Sequence, residues 1–209
     1  MVQALQLSGV HLMADELAFV GALTALTLLG CQCFLGDSTA PLSSLASLQE
    51  LRELTLTFHT SAAPGEQLPA SLSALSRLEQ LEISARDTSE YGSSHVRLPR
   101  AWCQAATQLS RAQLGVDLPL LVGDADRNRS IFPALTELQL SSPVDPLSSS
   151  ALACCQALRE LSLEHTTLRD ADWAALAALT QLAELAVKHC SYEEDEEDLY
   201  NVAADKEIL

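Results

Sequence analysis

One phrase, L-x-x-L-x-L, recurs from end to end of this chain and leaves few folds open to it. Eight copies begin at Val2, Leu23, Leu51, Leu78, Leu109, Leu135, Leu158 and Leu182, with spacings of 21, 28, 27, 31, 26, 23 and 24 residues. A repeat of this length is one supersecondary unit, and such units bury their apolar faces only by stacking. The last two leucines of the phrase stand two apart, so a short strand turns both to one face and the residue between them to the other. Upstream, leucines recur about every third residue, as in Leu42-Leu45-Leu48-Leu51, Leu68-Leu72-Leu75-Leu78 and Trp173-Leu176-Leu179-Leu182. That spacing suits a helical or 3₁₀ turn across the back of the strand. Identical connections make neighbouring strands parallel. The expectation is an α/β architecture: a curved solenoid of about eight repeats over residues 1–192, with parallel strands on the concave face and short helical or 3₁₀ segments on the convex face. The register is weakest at the fifth copy, where Ala112 replaces a leucine after the longest spacing.

The core must be built from leucine, because the 209 residues include 41 leucines against three isoleucines and 4% aromatic residues. No apolar run reaches the ~18 to 20 residues of a membrane-spanning helix, and the start of the chain lacks a basic region followed by an apolar stretch. Six cysteines, Cys31, Cys33, Cys103, Cys154, Cys155 and Cys190, then read as reduced, buried small hydrophobes in a cytoplasmic protein, with the nucleus or the ciliary axoneme as alternatives. The sequon Asn128-Arg129-Ser130 matters only in a secreted chain. Charge is lopsided, with 28 acidic against 12 basic residues and a net charge of -16. Nucleic acid and anionic membrane, which need clustered Lys and Arg, are poor partners for it. Residues 193–209 carry eight acids and one lysine and read as an acidic, solvated, disordered tail, either inert, a contact for a basic partner or a linker. Two polar, turn-rich insertions, 86–98 and 117–133, read as surface loops. Terminal repeats normally need a polar cap, and the first repeat, which begins at Val2, has none in front of it. The expectation is therefore a missing cap, consistent with a fragment or a minimal repeat protein.

On these eight motifs the chain resembles the leucine-rich-repeat family over residues 1 to about 192. Leu68 to Ile83 is similar to the plant-type LPxxLxxLxxLxxLxL repeat, and Phe132-Pro133-Ala134-Leu135 to a phrase of plant intracellular receptors. Leu23 to Cys31 and Leu182 to Cys190 resemble the cysteine-containing repeats of F-box adaptors, as does Thr167 to Trp173 with its TDxxL-like turn. The asparagine that ladders the turn in many such repeats is replaced by Val10, Cys31, His59, Arg86, Asp117, Pro143, Thr166 and Cys190. The resemblance implies a protein-interaction role: the substrate-recognition part of a ubiquitin-ligase adaptor, an intracellular receptor repeat domain, a regulatory subunit of an enzyme such as a phosphatase, or an axonemal component. A truncated fragment without a partner stays open beside these.

Motifs for chemistry are thin. Cys31-Gln32-Cys33 and His189-Cys190 lack the paired spacing of a zinc site, and neither a nucleophile elbow nor a phosphate-binding glycine loop occurs. Neither an enzyme nor a cofactor or metal is expected. The outward strand positions, read as columns, give the candidate protein-binding face: Glu53, Thr55, Thr57, Glu82, Arg111, Gln113, Glu137, Gln139, Glu160, Ser162, Glu164, Glu184 and Lys188. Small, polar and acidic residues dominate, and Phe58 is the one aromatic near a strand end. The expected partner is another protein with a basic or polar surface, bound by a monomer.

Overall fold

The computed structural model describes residues 2–60, 67–87, 96–115, 131–141 and 152–193. Strands β1 (Ala4–Met13), β2 (Leu28–Gly36), β3 (Glu53–Thr60), β4 (Gln80–Asp87), β5 (Arg111–Gly115), β6 (Glu137–Ser141), β7 (Glu160–Glu164) and β9 (Glu184–Lys188) lie side by side in one parallel, unclosed sheet. Two-residue strands β8 (Thr167–Leu168) and β10 (Ser191–Tyr192) pair in a second small sheet. Opposite the large sheet run α1 (Glu16–Gly21), 3₁₀ segments Ala40–Ser47 and Ala70–Ala74, α2 (Arg100–Ala105) and α3 (Asp170–Ala177). The chain is therefore a curved α/β solenoid, strands on one side and short helices on the other.

Alternation decides which side chains enter the core. Leu54, Leu56 and Phe58 of β3 are buried, as are Leu81 and Ile83, Leu138 and Leu140, and Leu161 and Leu163 of later strands. The back-side ladder meets them with Leu42, Leu45, Leu48 and Leu51, then Leu68, Leu72, Leu75 and Leu78. Ala112 sits in register between Leu81 and Leu138 and is itself buried, so the degenerate copy holds its place. Cys155 takes an inward leucine slot and is fully buried.

Four expectations are corrected. The second repeat is slipped by three residues: Leu28 pairs with Ala4 and with Glu53, so the phrase begins at Leu26 (LTLLGC) and Leu29 and Cys31 point inward. The spacings on either side become 24 and 25 residues. Cys31 thus fills a leucine slot, whereas Cys190 follows β9, and the two do not share a repeat position. Second, β1 to β4 run 8 to 10 residues while β7 and β9 run five. The added rows keep alternating, with Cys33 and Leu35 or Phe58 inward, which gives the extension its own buried face. Phe58 is for that reason core rather than an exposed anchor. Third, Trp173 stays 43% exposed, and α3 buries Asp172, Ala175 and Leu176 instead. The Asp172 carboxylate accepts a hydrogen bond from the Arg169 backbone N–H at 2.8 Å, closing the start of the helix. Fourth, the ends of the two insertions are core: Val96, Leu98, Ile131 and Phe132 are all buried. Residues 88–95 and 117–130 of the insertions, and residues 194–209, lie outside the described residues; Glu193 is ion-paired with Arg169 at 2.8 Å.

Candidate functional site

From β3 onward the outward columns are in the order the sequence predicts. The third-position column is Glu53, Gln80, Arg111, Glu137, Glu160, Glu184, each paired across the ladder with the next. Neighbouring strands stand about 4.8 Å apart, so these side chains form one continuous row. Their strands curve round a cavity of about 280 Å³, and a single hollow touched by six successive strands requires a concave sheet. Ten of the thirteen candidate residues line it: Glu53, Thr55, Glu82, Arg111, Gln113, Glu137, Gln139, Glu160, Ser162 and Glu184. Thr57, Glu164 and Lys188 sit one row further along the strands.

Electrostatics divide the row. Arg111 donates from Nε and a terminal nitrogen to the two carboxylate oxygens of Glu137, at 2.5 and 2.9 Å. The hydrogen bond from Arg111, with its charge behind it, holds the Glu137 carboxyl below the usual carboxylate range, and Glu137 in turn raises the guanidinium. Glu137 is thereby neutralised and is not part of a repelling stack, contrary to what its column suggests. Lys188 lies 3.9 Å from Glu164, whose other oxygen accepts a hydrogen bond from Gln139 at 3.3 Å. Glu53, Glu82, Glu160 and Glu184 make no ion pair among the described residues and are exposed. The cavity therefore presents four carboxylates outside any ion pair among the described residues, with its one arginine hydrogen-bonded to Glu137 and the charge of Glu160 also acting on it.

The extended rows of β1 to β3 carry a feature that column reading missed. His11, Phe34 and His59 project from the concave face and their rings meet: Phe34 stacks on His59 with centroids 4.7 Å apart and planes at 28°, and His11 lies 4.8 Å from Phe34 and 5.5 Å from His59. Met13 pairs in register with Phe34 and is 53% exposed. Parity was the signal available: Phe58 stands two residues past inward Leu56, so His59 beside it must face outward. At the other end, His165 and His189 follow β7 and β9 at φ 54° and 52° with rings stacked 5.1 Å apart, which marks equivalent turns of adjacent repeats.

The remaining titratable groups are buried thiols. Burial pushes Cys31 up to about 11, and Cys33 and Cys155 to about 12, helped by Cys31 and Cys154 respectively; Cys103 and Cys154 are raised by the same cause. A raised thiol is a poor nucleophile and a poor metal ligand. No group of three or more metal-binding side chains gathers among the described residues, and no described helix is long and apolar enough to cross a membrane.

No family model and no curated relative matches this sequence. Among solved structures it is similar to an internalin from Listeria monocytogenes, at TM-score 0.52 and 18% identity over 89% of this chain. The fold is the leucine-rich-repeat solenoid. The chain spans about half, 48%, of that internalin chain. It is also similar, at TM-score 0.41 and 17% identity over 91% of its length and 24% of the other's, to the repeat ectodomain of the plant membrane receptor kinase GASSHO1/SCHENGEN3 from Arabidopsis thaliana, solved in complex with Casparian strip integrity factor 2. This solenoid departs from uniform repetition in two places, the carboxylate cavity and the aromatic rows.

Proposed function

We propose that this solenoid is a protein-interaction domain whose concave face takes a basic polypeptide segment. The observation that carries the reading is the cavity with Glu53, Glu82, Glu160 and Glu184 around it and its arginine tied to Glu137. Lysine or arginine side chains entering it relieve repulsion between carboxylates and gain charge-assisted hydrogen bonds. A repeat surface of this kind suits recognition within a larger assembly, such as the substrate-reading part of a ubiquitin-ligase adaptor or the repeat domain of an intracellular receptor. A regulatory enzyme subunit, such as a phosphatase's, would use the same face. Five cysteines buried singly as small core residues rather than as a disulfide framework fit a reducing compartment, and so the cytoplasm.

The test is a selection of random 12-residue peptides displayed on phage against the full chain. The expected outcome is enrichment of Lys and Arg that disappears with Glu82→Gln, Glu160→Gln and Glu184→Gln combined, and persists with Glu194→Gln, Glu196→Gln and Glu197→Gln. The reverse pattern assigns the electrostatic site to the acidic tail and sinks the concave-face reading.

A further inference from the structure

Resting on the basic-segment reading above, we propose that His11, Met13, Phe34 and His59 form a second subsite, which takes one aromatic side chain of the same bound segment. All four stand on the concave side of the neighbouring strands β1, β2 and β3. Phe34 is 37% exposed beside Met13 at 53%, next to a cavity lined mainly by polar side chains. Rings held at these distances already use offset and edge contacts among themselves. A further ring laid on the Phe34 face, with the Met13 sulfur at its edge, extends the stack. Met13, Phe34 and His59 form one row that continues to Arg86, and His11 heads the adjacent row of Gln32, Thr57 and Ser84, so polar positions bound the apolar surface, as a pocket for a single anchor should be.

The spacing between the two subsites defines the occupant. From Glu53 at the cavity to His59 at the shelf, β3 advances six residues, or roughly 20 Å at ~3.3 Å per residue. An extended segment covers that in about six residues. The ligand is therefore a stretch of polypeptide with basic residues in the carboxylate cavity and a Phe, Tyr or Trp about six positions away. Charge complementarity fixes the first half and ring stacking the second. A basic segment lacking the aromatic fills only the cavity.

The phage selection tests this on the same chain with separate readouts. Selected peptides should carry an aromatic residue at that separation from the basic cluster. The best peptide, synthesised, should lose roughly tenfold in affinity with Phe34→Thr, and the same when its own aromatic is changed to Ala, with the two losses not adding. Met13→Ser, at the solvent edge of the shelf, should reproduce a smaller part of the loss if Phe34→Thr proves unfolded by circular dichroism. Absence of the aromatic from the selected peptides overturns the subsite. So do equal losses for the aromatic and Ala peptides, which would reduce the ring cluster to cross-strand packing. Selection of aromatic residues, with the double-mutant coupling intact but without basic residues, leaves the shelf standing and removes the acidic-cavity reading instead.

Discussion

The first four strands and the late strands β7 and β9 use one motif to build two different surfaces. β7 and β9 each stop after five residues, so their outward faces are only the polar part of L-x-x-L-x-L. By running on, β1 to β4 gain a second inward layer, Cys33, Leu35 and Phe58, and with it the exposed rings of His11, Phe34 and His59. Length is thus set beyond the motif, by whether the next residues keep alternating. The core differs too. Inward residues of the middle strands are sealed, whereas Leu185 and Val187 of β9 are 41% and 42% exposed, because no described strand lies beyond them.

The largest effect should come from the extension. Phe58→Ala removes a fully buried ring and should cost ~3 to 5 kcal/mol in chemical denaturation; a loss below ~1 kcal/mol would mean that the added rows of β3 are frayed. Truncation within the motif should then separate the sealed strands from the edge. Leu54→Ala and Leu138→Ala should each cost ~2 to 5 kcal/mol, and Leu185→Ala under about 1.5 kcal/mol, since much of its surface already meets water. Equal costs at Leu138 and Leu185 would show that something covers β9.

Thiol chemistry grades the same contrast. At pH 8 one thiol, partly exposed Cys190, should react promptly with a disulfide reagent, and the five buried thiols only after denaturant is added. The unfolded chain loses thiol protons near the ordinary value of 9.0, whereas folded Cys31 and Cys33 hold theirs to about 11 and 12. The folded state therefore binds more protons in that window, and stability should fall as pH rises from about 9 toward 12. Prompt reaction of a second thiol would place Cys31 or Cys33 at a loose end of the sheet. The smallest effect belongs to Glu137. Its carboxyl is lowered by Arg111, so its contribution is present above the unfolded carboxylate range and fades as pH falls through the folded value. Being exposed, the pair should shift the denaturation midpoint slightly, and salt should erase the shift.

Solenoid, parallel sheet and outward columns from Glu53 to Lys188 were legible because alternation and a period near 25 leave one arrangement that buries the leucines. The second repeat was not, because Leu23 to Cys31 holds two overlapping frames and only the one starting at Leu26 uses Cys31 and Cys33 as inward residues. Even spacing was the missed clue. The neutralising Arg111–Glu137 contact was readable from their adjacency in one column, yet a column of letters carries no rotamers. The aromatic shelf was hidden for a different reason: Phe34 and His59 lie past the end of the motif, where a leucine pattern says nothing about whether the strand continues.

Unequal strand lengths also have a consequence for direction. Carboxylates line the cavity rows from β3 on, whereas the exposed Phe34 shelf stands at one corner, over β1 to β3, and the opposite end carries only the stacked His165–His189 pair. A groove furnished alike at both ends accepts a threaded chain either way round. One furnished at a single corner does not. Reversing a segment whose aromatic follows its basic cluster would put its rings over Glu160 and its lysines over Phe34, so sequence order in the ligand, as well as composition, is discriminated by where the Phe34 shelf stands.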